Sequence, residues 1–222
     1  MTKHQKRLSA PKHYPIERKK GTYITTIEGS RSSENAIPVT LLLREVLEYA
    51  DTKKEVKKIL KEGKVLRNGD KIRNPRQGVG ILDVIELPDA EEAYRVIKEG
   101  ENLKFQPVND PEKVLAKIID KRQEGEEYIY RLHNGENYRT KDEFETGSSL
   151  LFKNGGAKEI PLEEGAKVLV AGGQHAGEIA ELKGIRETGM KTTTGTVKSE
   201  FEFDTPLQKL VPIEEIQVGE NQ

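Results

Sequence analysis

The sequence predicts a multidomain α+β protein in which a basic, partly helical region is followed by small all-β modules. The first observation is the charge: residues 1–88 carry 19 Lys and Arg against 11 Asp and Glu, whereas residues 89–222 carry 18 against 27. The second is the hydrophobic pattern, which changes from helical spacing to short alternating segments near residue 90. The third is a hydrophobic content of 34%, which is low for one large core and favours several small modules.

Composition excludes several function classes. The chain has no Cys, which excludes disulfides, thiolate zinc sites and cysteine nucleophiles and fits a reducing cytoplasm. Its four His are scattered without metal-ligand spacing, and no phosphate-binding G-x-x-x-x-G-K-[ST] loop is present. No apolar stretch approaches the ~20 residues of a membrane span, and the N-terminus lacks a signal segment. We therefore expect a soluble, cytoplasmic protein without metal, cofactor, small-molecule substrate or catalytic residues.

A basic arm is predicted for residues 1–36, with one short strand at 22–27. Residues 3–20 carry seven Lys and Arg and one Glu but no apolar run that could bury a core. Basic segments of this kind become ordered on polyanions, and their prolines keep them extended. We expect the arm to fold only against RNA. Its predicted contacts are Lys3, His4, Lys6, Arg7, Lys12, Arg18, Lys19 and Lys20.

Two helices are predicted after the arm. The first begins at Ile37, with Pro38 in its first turn, and runs through "IPVTLLLREVLEYA". The second, in "DTKKEVKKILKEG", begins with a capping box formed by Thr52 and Glu55 and ends at Gly63.

The second helix is predicted to carry a cationic face. Its five lysines lie opposite the stripe of Val56, Ile59 and Leu60, and only Glu55 offsets their repulsion. The following "KVLRNGDKI" predicts a hairpin turning at Asn68-Gly69, and helix and hairpin together could straddle a phosphate backbone. A simple solvated helix face is the alternative. The predicted contacts of this region are Arg44, Lys53, Lys54, Lys57, Lys58, Lys61, Lys64, Arg67, Asn68, Lys71, Arg73 and Arg76.

The rest of the chain is predicted to be mainly β. The segment "GVGILDVIELP" predicts a buried strand ended by Pro88, within which Asp83 is expected to be a hydrogen-bonded structural carboxylate. Short segments between Gly-containing turns predict a central β module at 91–165, although a helix over 112–122 is an open alternative. Residues 166–222 repeat the β pattern, with a Gly-rich turn at 172–177.

Four segments resemble known families. The segment "TKKEVKKILKEGKVLRNGDKI" resembles the alpha-L RNA-binding motif of ribosomal proteins, pseudouridine synthases and some synthetases. "VGILDVIELP" is similar to the strand that closes that motif in the archaeal and eukaryotic small-subunit ribosomal protein family S4e. "IPLEEGAKVLVAGGQHAGEIAELKGI" is similar to that family's KOW element. The opening of the family is matched by His4, Lys6-Arg7-Leu8, Ala10-Pro11, Pro15-Ile16 and Arg18-Lys19.

The resemblance covers residues 3–215 in order and implies a structural constituent of the small ribosomal subunit that binds rRNA. The expected domains are a basic arm (1–36), an alpha-L (S4-type) domain (37–90), a central β module (91–165) and a KOW-containing SH3-like small barrel with its tail (166–222). The expected partners are small-subunit rRNA and neighbouring ribosomal proteins. A pI near 6.5 and the short length after the KOW element favour an archaeal source.

The KOW turn departs from the family pattern, because Glu178 stands where Lys is usual. Its predicted RNA contacts are Lys167, Gln174, His175 and Lys183, and the alternative is a barrel turn that contacts nothing.

Two other functions stay open from the residues. A pseudouridine-synthase-like enzyme would carry an alpha-L motif but needs a catalytic domain with a G-R-L-D-type Asp, which is not found here. A KOW-type transcription or translation factor would use the acidic second half to bind a protein.

Overall fold

The computed structural model describes residues 5–153, 155–188 and 192–214, which are mostly β with few helices. The chain divides into two compact units. The first comprises the residues up to 97 together with 102–111, and the second comprises 98–101 and the residues from 112 onward.

Among the described residues, the first unit contains three small sheets. A two-stranded antiparallel sheet joins β1 (Gln5–Lys6) to β2 (Tyr23–Ile24), and a second joins β3 (Ala36–Pro38) to β6 (Gly78–Gly80). The third has five strands in the order β5-β4-β7-β8-β9. Its strands are β4 (Leu66–Arg67), β5 (Asp70–Lys71), β7 (Val84–Leu87), β8 (Glu92–Glu99) and β9 (Asn102–Pro107).

The first predicted helix is shorter than expected. Residues 36–38 form strand β3, so helix α1 covers only Val39–Leu41 before it widens into a π-helical turn at Leu42–Val46. Glu48 has a left-handed φ of 55°, which ends the helical path. The expectation of a continuous helix through Tyr49 is therefore wrong.

The second helix and the hairpin agree with the sequence. In α2 (Lys53–Lys61), Thr52 Oγ1 accepts from the Glu55 N–H at 3.2 Å, and Glu55 Oε2 accepts from the Thr52 N–H at 3.1 Å, so the capping box is confirmed. Asn68 and Gly69 have φ of 54° and 84°, as a two-residue hairpin turn requires.

The segment "GVGILDVIELP" forms two strands rather than one. Strand β6 ends at Gly80, Leu82 has a left-handed φ of 66°, and β7 begins at Val84. The break places Asp83 in a turn instead of in a strand. Pro88 follows the last residue of β7, as predicted.

Asp83 is the centre of a buried hydrogen-bond network and is 2% exposed. Its Oδ1 accepts from Arg31 Nη2 at 2.7 Å and from Asn68 Nδ2 at 2.8 Å, and its Oδ2 accepts from Arg31 Nε at 2.9 Å and the Gly80 N–H at 2.8 Å. Burial alone would raise the pKa of Asp83, but the Arg31 hydrogen bonds and charge hold it below its ordinary value. The predicted structural role of Asp83 is confirmed.

The second unit contains two five-stranded antiparallel sheets, in the orders β12-β11-β10-β13-β14 and β18-β17-β16-β15-β19. The first sheet consists of β10 (Val114–Glu124), β11 (Glu127–Leu132), β12 (Asn137–Thr140), β13 (Ser149–Lys153) and β14 (Gly156–Ile160). The second consists of β15 (Lys167–Val170), β16 (Ile179–Thr188), β17 (Thr192–Lys198), β18 (Glu202–Pro206) and β19 (Leu210–Pro212). Each sheet has its own hydrophobic cluster, centred on Tyr130 and Leu150 in the first and on Val168 and Leu182 in the second.

Two expectations for this unit are settled by the pairing. Strand β10 is hydrogen-bonded to β11 on one side and β13 on the other, so the helical alternative for 112–122 is wrong. In the second sheet β18 and β19 are the edge strands, and within the described residues no pairing between them closes a barrel.

Lys117 on β10 joins the two sheets of the second unit. Its side chain is buried, and Nζ donates to the carbonyl oxygens of Leu207, Gln208 and Leu210 at 2.7, 3.2 and 2.5 Å. These carbonyls belong to the 3-10 turn at Leu207–Lys209 and the strand that follows it. Burial lowers the pKa of Lys117 to about 8.

Neutralising Asp83 should be costly. In Asp83→Ala the buried Arg31 guanidinium loses its counter-charge, and we expect the free energy of unfolding to fall by about 3–5 kcal/mol in denaturant titrations at neutral pH. Asp70→Ala, at an exposed position on hairpin strand β5, is the matched control and should change it by less than about 0.5 kcal/mol. Equal effects of the two substitutions would contradict the assigned role.

The Asp83 effect should also depend on pH. Because the folded-state pKa is depressed, the stabilisation is complete above the unfolded value of about 3.9 and is lost as pH falls through the folded value. The difference between wild type and Asp83→Ala should therefore shrink only in strong acid.

Lys117 should make stability rise with pH. Between about pH 8 and pH 10 the unfolded chain keeps a proton on this amine that the folded protein has released, so folding is favoured by up to about 1.4 kcal/mol per pH unit. Denaturant unfolding of wild type and Lys117→Met across this range should show the gain in wild type only. Lys153→Met, at an exposed position, should follow wild type, and parallel curves for wild type and Lys117→Met would refute the effect.

Candidate nucleic-acid interface

The clearest cationic surface is the outer face of α2, hereafter the lysine face: Lys53, Lys54, Lys57, Lys58 and Lys61. All five side chains are exposed, and the opposite side of the helix buries Val56 and Leu60. None of the five forms an ion pair with any residue that the structure describes. Burial of Val56 and Leu60 therefore turns the five lysines toward solvent, and no carboxylate of the described residues neutralises them.

The hairpin after α2 divides the predicted cations into two groups. Lys71 and Arg73 are exposed, like the lysine face. Lys64 is engaged instead, with Nζ 3.0 Å from a carboxylate oxygen of Glu62 and 3.0 Å from one of Asp89. These two hydrogen-bonded carboxylates raise the pKa of Lys64.

The remaining predicted contacts near the hairpin are bonded within the protein. Arg67 Nη1 donates to the Gly78 carbonyl oxygen at 2.7 Å, and Arg76 pairs with Glu28 and donates to Thr26. Asn68 uses both ends of its amide, because Oδ1 also accepts from the Val84 N–H at 2.8 Å. Arg44 Nε donates to the Asp51 carbonyl at 3.2 Å.

The basic arm belongs to the first unit, where it is bonded both to its own backbone and to the π-helical turn. Arg7 is 4% exposed; its guanidinium pairs with Glu45 of the π-helical turn and donates to the Glu17 carbonyl. Arg18 donates to the carbonyls of Ala10 and Pro11 at 2.6 and 2.7 Å. The expectation that this segment has nothing to bury is wrong.

Several arm side chains account for this packing. Ala10, His13 and Tyr14 are buried, and the His13 and Tyr14 rings meet edge to face at 4.8 Å. No apolar periodicity in the sequence predicts this burial, and Arg7 and Arg18 add an ion pair and hydrogen bonds to backbone carbonyls. The arm cations that remain exposed are Lys6, Lys12, Lys19 and Lys20. Lys3 and His4 lie outside the described residues.

The predicted contacts of the second unit lie around the Gly-rich turn. Lys167 and Gln174 are exposed, and Lys183 Nζ lies 2.7 Å from a carboxylate oxygen of Glu181. His175 Nδ1 lies 2.8 Å from Glu178 Oε1.

His175 also stacks on Phe203, with ring centroids 4.0 Å apart. This aromatic contact was not predicted from the sequence. Its signal is the pair of phenylalanines at 201 and 203 in a chain with five in all.

Neither a metal site nor a membrane-spanning helix is found in the described residues. Among the described residues, no cluster of three or more His, Asp or Glu is arranged to hold a metal ion. In the same part of the chain, no helix combines the length and hydropathy needed to cross a bilayer.

Several known proteins of one family are similar to this chain in sequence. A domain model described as RS4NT (NUC023) matches residues 1–27, which lie within the predicted arm. Proteins named small ribosomal subunit protein eS4 align over most of the chain. That of Natronomonas pharaonis is 33% identical over 97% of this chain and 96% of its own length, and that of Haloarcula marismortui is 33% identical over 100% of both. That of Methanocaldococcus jannaschii is 33% identical over 85% of this chain and 83% of its own.

A solved structure has the same fold. The crystal structure of the 30S ribosomal protein S4e from Thermoplasma acidophilum superposes with a TM-score of 0.66 at 22% identity, covering 81% of this chain and 95% of that one. The relatives come from archaea, as the acidic composition predicts, and their names are those of a ribosomal protein rather than an enzyme. This chain belongs to the eS4 family of small ribosomal subunit proteins.

Proposed function

We propose that the protein is a structural constituent of the small ribosomal subunit and binds rRNA through its first unit, in support of subunit assembly and translation. The observation that carries this function is the lysine face of α2, five exposed ammonium groups without a carboxylate partner in the described residues. Lys71 and Arg73 extend the exposed positive charge onto the hairpin.

The chemistry of this face suits a phosphate backbone more than base edges. Lysine ammoniums act as point charges that displace condensed counterions, whereas sequence reading depends on bidentate or stacking side chains. The lysine face itself contains no aromatic residue. We therefore propose recognition of RNA shape and backbone geometry.

The engaged cations have a different role in this proposal. Arg7, Arg18, Arg67, Arg76 and the Asn68 amide donate to groups of the protein itself, so they position the exposed lysines rather than bind phosphate. Arg7, which is only 4% exposed, supports this division most strongly.

The finer domain assignment is also a proposal. Two short helices followed by an Asn-Gly hairpin support an alpha-L (S4-type) motif within 37–90. The sheet from β15 to β19, with its Gly-rich turn, supports a KOW-type module after residue 166. The central module would lie between them, and Lys167, Gln174 and Lys183 would be auxiliary contacts. His175 is not proposed as one, because its ring stacks on Phe203 and lies beside the Glu178 carboxylate. Location on the ribosome, beside other ribosomal proteins, follows from the same function.

Removing charge from the lysine face should reduce the salt dependence of RNA binding. Each phosphate contact contributes about 0.7–0.9 to the slope of log affinity against log salt, so Lys54, Lys58 and Lys61→Gln together should lower that slope by about 2–3. The measurement is filter binding of the full chain to transcribed archaeal small-subunit rRNA at several KCl concentrations.

A variant with the same loss of charge elsewhere provides the control. Lys141, Lys153 and Lys198 are exposed in the second unit, and their triple Gln variant should keep the wild-type slope. If both variants lost the same slope, net charge rather than the lysine face would govern binding.

The exposed arm lysines should contribute affinity without contributing stability. Lys6, Lys12, Lys19 and Lys20→Gln should weaken rRNA binding at low salt by at least about tenfold, while the free energy of unfolding changes by less than about 0.5 kcal/mol per site. Arg7→Ala should instead destabilise the fold, because it leaves Glu45 without its partner. Wild-type rRNA affinity of the quadruple variant would argue against any arm contact with RNA.

A further inference from the structure

The second unit carries an aromatic cluster that RNA binding by the first unit does not explain. His175 stacks on Phe203, and its ring centroid lies 5.6 Å from that of Phe201. Phe201 lies in the turn between β17 and β18, and the residue is 53% exposed. The turn is closed by a hydrogen bond from the Ser199 N–H to the Phe201 carbonyl oxygen at 3.1 Å. The partly exposed Phe201 ring is thus held edge-on to His175, and His175 itself stacks on Phe203.

The hydrogen bonds around this cluster fix its shape. Glu178 Oε1 lies 2.8 Å from His175 Nδ1, and Glu178 Oε2 accepts from Ser199 Oγ at 3.0 Å. One carboxylate therefore ties the Gly-rich turn to the β17–β18 turn. This is also the position where Glu replaces the Lys expected from the KOW pattern.

The rim of the cluster is acidic. Glu200 and Glu202 flank Phe201 in the chain and are exposed. The neighbouring cation, Lys198, lies between Glu181 and Glu202 in the strand register, and Glu181 also pairs with Lys183. An approaching phosphate would meet the negative charges of Glu200 and Glu202 on either side of Phe201.

We infer that the surface formed by His175, Phe201, Phe203, Glu200 and Glu202 is a docking site for an arginine-containing basic segment of a partner protein. A guanidinium can lie flat on the exposed face of Phe201 while its N–H groups donate to the flanking carboxylates. An unpaired nucleobase could also stack on Phe201, but its phosphates would be repelled by the rim. Binding at this surface is separate from RNA binding by the first unit, so each can fail without the other.

Peptide titration of the full chain tests this surface. The probe is a fluorescein-labelled dodecapeptide of alternating Arg and Ser, compared with its Lys counterpart and with a uridine dodecamer, and the readout is fluorescence anisotropy. Wild type should bind the Arg peptide more tightly than the Lys peptide. Phe201→Ala should weaken Arg-peptide binding by about fivefold, through loss of the stacking face.

Matched variants distinguish peptide binding at this surface from a general attraction to the acidic second unit. Glu200 and Glu202→Gln should weaken Arg-peptide binding, whereas Glu163 and Glu164→Gln should not, although both pairs remove two exposed charges. Ile185→Ala, at an exposed position on β16, controls for loss of apolar surface.

Three results would overturn the inference. One is no measurable Arg-peptide binding to wild type, and another is equal affinity in Phe201→Ala and Ile185→Ala. The third is a uridine dodecamer that binds wild type and is lost on Phe201→Ala while peptide binding persists, which would make the surface a nucleobase platform.

Discussion

The buried ion pair between Arg31 and Asp83 is the constraint on which the first unit depends. It joins residues 52 positions apart in the chain, and Asn68 links the Asn-Gly hairpin to the same carboxylate. Strand β6 passes so close that a Cβ added at Gly78 would lie 2.8 Å from the Arg31 Cβ. Hydrophobic residues of similar volume can stabilise a fold as much as a buried ion pair does. The more important effect of the Arg31–Asp83 pair is therefore that it fixes one arrangement of the hairpin, strand β6 and the loop that carries Arg31.

Local signals in the sequence were sufficient for the parts of the fold that depend on neighbouring residues. Thr52 and Glu55 determine where α2 begins, and Asn68-Gly69 determines the hairpin, because each feature needs only a few adjacent residues. The start of the first helix could not be predicted in this way. Residues 36–38 pair with a strand some 40 positions later, and that distant partner overrides their helical spacing.

The sequence was sufficient to predict which residues form the cationic surface. It was not sufficient to predict which of these cations are exposed and which are bonded within the protein. Charge patterning located the lysine face, yet it gave Arg and Lys equal weight. In the structure most of the predicted arginines, such as Arg7, Arg18 and Arg67, donate to carbonyls or carboxylates, whereas most of the lysines stay exposed. The planar, multiply donating guanidinium suits fixed acceptors inside a fold, and the flexible ammonium suits a solvated surface. Such pairing depends on three-dimensional neighbours that a linear pattern does not contain.

The attachment of the arm through Arg7 and Glu45 has a thermodynamic consequence. A segment that is already folded presents its exposed lysines on an existing surface, so a polyanion does not have to drive a coil-to-ordered transition as it docks. The heat capacity change of association would then report the contact area alone, without the large negative folding contribution that accompanies a disordered tail.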